Sequence, residues 1–398
     1  MHHECPVMMP ELDRTVLVVS FHDWKSKRLA GFHKIGEALL ESGYDVYFAS
    51  HYRPVAVALF NKDEINCFRN WRALMKGLVT TIGIARLVNF TALNLALPGP
   101  LRRGPLTRVN EWVLDWSNQL LAKKCRRLCS SPKCIVIESG GSITAYPALK
   151  KVYPDVRFIY RPSDPSIGSL NAPEALLETE RRLVREADAV CLVNEEGRRL
   201  YQENGYELDA SKTYLLPNGI DMAAFRAKYE VPEDLAVAES VCYVGGHPPD
   251  WRPIFALADK RPDLRIVIVC PEALSPAIAK DVAARSELIY IEGLSPEQVP
   301  AYVTNTTVII IPYPDGWGAR PLGMHGKVMQ AMYAKKPIVA TNLDPSLRSE
   351  GIYIESTPES FAERVISFLA GSVPEYKFDF SDKDWSTFKR RFIEYTGL

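Results

Sequence analysis

Residues 15–21 read TVLVVSF and residues 45–49 read DVYFA. Between them stand a polar loop, HDWKSKR (22–28), and a helical pattern over 31–42 that Gly43 stops. Strand, helix and strand in this order and at this length make the βαβ unit of a parallel sheet. Outward from that unit, residues 135–138, 157–160 and 189–193 predict further strands, with helices over 144–152 and 173–186 between them. The turn cluster Pro217-Asn218-Gly219-Ile220-Asp221 closes the series, and a second one follows. Its strands are predicted over 240–244, 264–269, 288–291, 307–311 and 337–340. Helices are predicted to start near Asp250, at Ser295-Pro296 as cap and first turn, and near Gly323. The reading is α/β with two domains, 1–216 and 217–374. An amphipathic stretch at 385–395, within a tail 375–398, packs back on them.

A length of 398 residues accords with two or three domains of ~100–200 residues each. Apolar residues at 47% and charged residues at 24% exclude a disordered chain or a small disulfide scaffold. Eight irregularly spaced cysteines read as reduced, buried thiols of a cytosolic protein. Cys125, Cys129 and Cys134 cluster, but no His follows at a zinc-like distance, so no metal site is expected. The first fourteen residues hold acids and two prolines and do not read as a signal peptide. The longest weakly charged stretch, 77–101, is split by Arg86 and diluted by Asn89, Asn94 and Pro98, which disfavours a spanning helix.

Net charge is zero overall but not locally. Residues 51–133 hold 14 Lys/Arg against Asp63, Glu64, Glu111 and Asp115, a surplus of ten that the rest must offset. About 80 residues here fall outside the βαβ rhythm, too many for an ordinary loop. Their cations are interleaved with Phe68, Trp71, Leu74, Leu78, Val79, Ile82 and Ile84, then Trp112 and Trp116. That composition fits a basic amphipathic insertion lying on an anionic membrane surface. The alternative is two ordinary helices with solvated basic faces. No nucleic-acid motif accompanies the charge.

Ligands of open α/β sheets bind beyond the carboxyl ends of the strands. No Gly-x-Gly-x-x-Gly follows the first strand and no P-loop is present, which argues against a nicotinamide or P-loop enzyme. Asp-x-Asp occurs only as Asp382-Lys383-Asp384 in the tail and reads as a solvated charge cluster. Glu138-Ser139-Gly140-Gly141-Ser142 offers backbone N–H groups to an anion or a hydroxyl-rich ligand, or is simply a tight turn. In Tyr160-Arg161-Pro162-Ser163-Asp164-Pro165 two prolines bracket Asp164 and hold it extended. Asp164 can there take a proton from an attacking hydroxyl, or serve as a cap or turn acid. Val244-Gly245-Gly246-His247 supplies a second glycine turn. Lys327 at a helix start beside a glycine-rich loop suits a diphosphate, and Tyr313 or Trp317 can stack on a base. A surface Lys and structural aromatics are the alternative.

Taken in order, these motifs resemble the GT-B glycosyltransferases, in which two Rossmann-like domains face each other across a cleft. More narrowly, the chain is similar to the xanthan-pathway β-glucuronosyltransferase family, which is inverting and membrane-associated. The motifs that carry the resemblance are His22-Asp23 with Arg28 and His33, Ile137-Glu138-Ser139-Gly140, Tyr160 to Asp164, and Asn218 to Asp221. Val244-Gly245-Gly246 and Lys327 with Gln330 complete them. The resemblance implies that Asp164 is the catalytic base. It implies that Lys327, Gln330 and Tyr313 contact UDP, with Gly245, Gly246 and His247 in the second glycine turn. A family Met is His247 here, and Gly326 replaces another Met before the key Lys. Arg320 or Arg161 would pair a uronate carboxylate, and Glu138 and His22 would line the acceptor side. The implied reaction takes glucuronate from a UDP-sugar to a polyprenyl-diphosphate-linked oligosaccharide in exopolysaccharide synthesis. It would use no cofactor or metal, as a peripheral protein on the cytoplasmic face of the inner membrane. Two rivals remain: a retaining GT-B transferase and a non-catalytic nucleotide-sugar-binding protein. The retaining kind would carry Glu at positions 327 and 335, where this chain has lysines.

Overall fold

The structure is a computed structural model that describes residues 14–25, 31–50, 75–97, 107–169, 172–237, 239–315, 323–370 and 374–398. It divides into two compact units, Met1–Leu216 with Lys389–Leu398, and Pro217–Phe388.

The first unit is built on strands β1 (Thr15–Ser20), β2 (Asp45–Ser50), β3 (Leu78–Ile82), β4 (Ala85–Phe90), β5 (Cys134–Glu138), β6 (Arg157–Arg161), β7 (Ala189–Leu192) and β8 (Thr213–Leu215). Their spatial order is β3-β4-β2-β1-β5-β6-β7-β8. All neighbours run parallel except the β3–β4 hairpin. Val16 to Ser20 and the whole of β5 are buried, as strands covered on both faces require. Helices α1 (Gly31–Glu41), α2 (Thr107–Leu128), α3 (Tyr146–Val152), α4 (Glu174–Glu186) and α5 (Glu195–Glu203) cover this sheet.

The second unit carries β9 (Ser240–Val244), β10 (Arg265–Val269), β11 (Leu288–Ile291), β12 (Val308–Pro312), β13 (Ile338–Thr341) and β14 (Tyr353–Glu355), all parallel, in the order β11-β10-β9-β12-β13-β14. Alternate residues feed two cores. Val241, Ile266, Ile268 and Ile310 face one layer, and Cys242, Val267, Val269 and Ile311 face the other. Around them lie α6 (Met222–Arg226), α7 (Trp251–Lys260), α8 (Pro276–Ala283), α9 (Val299–Asn305), α10 (Gly326–Tyr333) and α11 (Pro358–Leu369).

A last helix, α12 (Trp385–Thr396), follows an extended stretch that pairs with the turn cluster, Ile220 N–H donating to Lys383 O at 2.8 Å. Its end fastens to the first unit. Lys389 pairs with Glu37 and Glu41 at 3.0 and 2.6 Å, and Arg157 donates to Thr396 O at 2.8 Å.

Several expectations need correction. The 51–133 segment is not wholly an insertion, because β3 and β4 extend the sheet, and among its described residues α2 is the long helix. Arg86, counted among its cations, forks onto Asp45 at 2.9 and 2.7 Å. Residues 144–152 are split between a 3-10 turn, Gly140–Ala145, and α3. Ser295-Pro296 does not start a helix. Ser295 N–H bonds the Gln298 side chain, and α9 begins after it with Pro300 in its first turn. Helix α10 starts at Gly326 rather than near Gly323. Strands β8 and β14 were not expected; each is three residues long and too short to show a period.

Candidate active site

Both sheets reverse their winding once, between β1 and β5 and between β9 and β12. A crevice opens at such a switch point, beyond the carboxyl ends of the strands. The motif residues gather at these two places.

In the first unit Ser20, at the end of β1, donates its hydroxyl to Glu138 Oε2 at the end of β5. His22 Nε2 lies 3.6 Å from Glu138 Oε1, and the His22 amide donates to Ser20 Oγ at 3.0 Å. From the next strand, Arg161 Nη1 donates to Ser163 Oγ at 2.7 Å, and Ser163 Oγ reaches Glu138 Oε1 at 3.5 Å. Glu138 and Arg161 have no solvent exposure. Neither side chain can touch a ligand, so the contacts expected of them with sugar or uronate are replaced by a buried relay behind the surface. Burial pushes the Glu138 carboxyl up to about 8, against the Ser20 bond and the Arg161 charge.

Asp164 follows that relay and is exposed. Its amide donates to Ser139 Oγ at 3.1 Å, so the loop after β6 is tied to the turn after β5. Solvent reaches the carboxylate, yet the surrounding protein raises it above the ordinary value, with Arg161 opposing. A carboxylate of raised basicity that solvent can reach suits a general base. Gly140 turns the chain with φ +73°, a conformation that a residue with a Cβ would strain. His33 is buried and bonds Asp23 O at 2.9 Å. Arg28 lies outside the described residues.

In the second unit Lys327 stands in the first turn of α10, its ammonium 5.0 Å from the Tyr243 ring centroid and 4.8 Å from that of Tyr313. The Tyr243 hydroxyl donates to His247 O at 2.6 Å and closes the Gly245-Gly246-His247 turn. A Cβ on Gly245 would sit 2.1 Å from that hydroxyl, so the turn closes only on glycine. Tyr313 O accepts from Thr341 Oγ1 and Asn342 Nδ2 at 2.8 and 2.7 Å. Gln330, one turn after Lys327, shares its face of α10. His247 is exposed. Arg320 and Trp317 lie outside the described residues. Burial, and then the Lys327 charge, drive His325 down to about 4 and keep it neutral. Among the described residues no three His, Cys, Asp or Glu side chains converge as a metal ion would require. Asp384 instead caps α12 through the Ser386 amide at 2.8 Å, and Asp382 pairs with Lys383 at 2.5 Å.

Sequence reasoning missed Ser20, His325 and Glu180. Ser20 sits at a strand end, where a polar residue is visible. Glu180 is hidden in the charged run ETERR.

A parallel 3-2-1-4-5-6 strand order recurs in both sheets, the first adding antiparallel β3 at one edge and β8 at the other, and with polar groups at each switch point it defines a GT-B fold. Solved structures agree in fold across almost the whole chain. The apo structure of OtsA is 13% identical with TM-score 0.64, covering 96% of this chain and 98% of that one. The α,α-trehalose 6-phosphate synthase of Burkholderia multivorans is 12% identical with TM-score 0.64 and the same coverage. HepE of Anabaena, solved with UDP and glucose, is 13% identical with TM-score 0.59, covering 96% and 99%. Residues 18–193 match the family described as glucuronosyltransferase GumK, N-terminal domain, and residues 251–371 match glycosyl transferases group 1. The chain is therefore a GT-B glycosyltransferase, and its first unit is similar to that of GumK. Comparison of the sequence with curated proteins finds no match.

Proposed function

We propose that this glycosyltransferase moves glucuronate from UDP-glucuronate to a polyprenyl-diphosphate-linked oligosaccharide with inversion at the anomeric carbon. The observation that carries the reading is Asp164, a solvent-reached carboxylate of raised basicity at the end of β6. In the reaction the acceptor hydroxyl oxygen attacks C1 of the sugar and its proton passes to Asp164. The C1–O bond to UDP breaks, its electron pair leaving on the β-phosphate oxygen. Lys327 and the Gly246 amide stabilise that charge, the Gly245 amide being bonded to Val269 O at 3.0 Å. Tyr313, His247, Gln330 and Arg320 complete the donor side, with His22 on the acceptor side. Lysines at 327 and 335 disfavour a retaining mechanism, although trehalose-phosphate synthases share the fold.

The same reading places the protein on the cytoplasmic face of the inner membrane. Exposed Val109, Trp112 and Trp116 recur at helical spacing along α2, and Ser117 of that helix accepts from the Leu95 amide at 3.3 Å. Exposed Leu95, Val79 and Ile84 belong to the same unit. Such a surface, with Lys123, Arg126 and Arg127 exposed on the same helix, suits an anionic bilayer. Among the described residues no helix is long and apolar enough to cross a membrane.

Turnover of a panel of UDP-sugars with short polyprenyl-diphosphate oligosaccharides, and NMR of the product anomer, tests the reading. UDP-glucuronate leading with a β-product supports it. An α-product, or no turnover with any donor, rejects it.

A further inference from the structure

Glu180 of α4 has no solvent exposure. Its Oε1 accepts from the hydroxyls of Tyr160 at 2.7 Å and Tyr201 at 2.9 Å, and from the Ser166 amide at 2.9 Å. Its Oε2 accepts from the Ile167 amide at 3.2 Å and the Tyr206 hydroxyl at 3.3 Å. All five donors are neutral groups. An apolar side chain of the same size would leave all five donors unpaired in the interior. What the carboxylate adds is a fixed acceptor for two consecutive amides.

Those amides open a short 3-10 turn, Ser166–Gly168, preceded by Pro165, which has no side chain to cap it. The cap arrives from a remote helix. Tyr160 lies on β6 just before the loop, and Ser166 lies just after it. One carboxylate therefore holds both ends of the span whose centre carries Asp164, while Ser139 holds the Asp164 amide.

We propose that Glu180 is a positioning residue that fixes Asp164 for proton transfer, an inference that rests on Asp164 being the base of the reaction above. Placement matters at that scale, because a shift of about 1 Å in a reacting group costs ~10²-fold in rate.

Three variants test it by steady-state kinetics and thermal unfolding. Glu180→Gln keeps the shape but turns one acceptor into a donor. Ser166→Pro keeps Glu180 and deletes one amide; Pro is tolerated at the first position of such a turn, and Pro165 already has the extended ψ of 130° it needs. Tyr153→Phe removes a buried hydroxyl elsewhere in the same unit, one that donates to Cys129 O at 2.6 Å. Glu180→Gln and Ser166→Pro should each lower kcat by about ten- to hundredfold with donor KM and UDP affinity within about twofold. Their combination should lose no more than the worse single change, since both break one tether. Tyr153→Phe should lower Tm comparably and keep kcat within about twofold. Wild-type kcat in Glu180→Gln, or kcat falling with Tm equally in all three, overturns the proposal. If Glu180→Gln does not fold, Ser166→Pro alone decides by the same criteria. A wild type inactive with every donor rejects the transferase reading and this inference together. An active wild type with an unaffected Ser166→Pro rejects the inference alone.

Discussion

The two units share a 3-2-1-4-5-6 order of parallel strands, to which the first adds β3 and β8 at its edges, and what differs is the set of side chains gathered where that order reverses. At the β1–β5 switch point stand carboxylates: Glu138 inside, Asp164 at the surface, and Glu180 behind the Asp164 loop. At the β9–β12 switch point stand an ammonium, two tyrosine rings and a neutral imidazole. Topology supplies a crevice in both places. The side chains then divide the chemistry: an acidic edge suits a base that takes a proton, and an ammonium seated against two buried rings suits a diphosphate. If that division is real, changes on one side should alter catalysis and changes on the other should alter nucleotide affinity.

The sharpest attempt to break it is Asp164→Asn. Transfer should fall by ~10²–10⁴-fold, the worth of a general base, while UDP affinity stays within a few-fold. Turnover within tenfold of wild type in a steady-state assay would remove Asp164 from the mechanism. On the opposite side, Lys327→Ala should weaken UDP binding about ten- to hundredfold, the loss of one charge-assisted contact of ~1.5–3 kcal/mol. EDTA should leave wild-type turnover nearly unchanged. Unaltered calorimetric affinity in the variant, or full inhibition by chelator, would defeat the assignment of the diphosphate to Lys327.

Much of this contrast was legible in the sequence because both crevices lie at strand ends. Ser139, Asp164, Gly245 and Lys327 all follow β-branched runs or open helices, where period and turn residues are readable. Burial was not readable. Glu138 and Arg161 look like ligand contacts in the chain, and the packing of β5 between β1 and β6, and of β6 between β5 and β7, hides them. Nor was the β3–β4 hairpin, because its strand residues alternate too weakly against a basic background, and tertiary pairing to β2 decides its state. Glu180 was invisible because its partners come from β6, α5 and two loops, up to 26 residues away.

Glu138 offers a test confined to the acidic side. Its carboxyl rises from an unfolded value near 4.5 to about 8, so the folded state favours the proton. That contribution is fully present below the unfolded value and is lost as pH rises toward 8. Unfolding free energy should therefore decline between about pH 5 and 8, by at most ~1.4 kcal/mol per pH unit from this group. Glu138→Gln should flatten that slope, and denaturant titrations at pH 5, 6.5 and 8 measure it. An equally steep slope in the variant means that other groups cause the decline.

The smallest expected effect concerns a feature that only one of the two units has. Trp112 is 68% exposed and Trp116 40%, whereas the second unit's exposed large apolar side chains, among the described residues, are Val231 and Val237. If the acceptor is lipid-linked, the base must work near a bilayer and the nucleotide site need not. Partial burial of one indole in the interface contributes ~1 kcal/mol at ~25 cal/mol per Å², so Trp112→Ala should lower binding to anionic liposomes about fivefold. Adding salt should weaken the wild type only in part, because the apolar share is not screened. UDP affinity should not change, since the indole belongs to the other unit. Co-sedimentation decides the matter: wild-type protein left in the supernatant with anionic vesicles at low salt would make α2 an ordinary surface helix and end the membrane assignment.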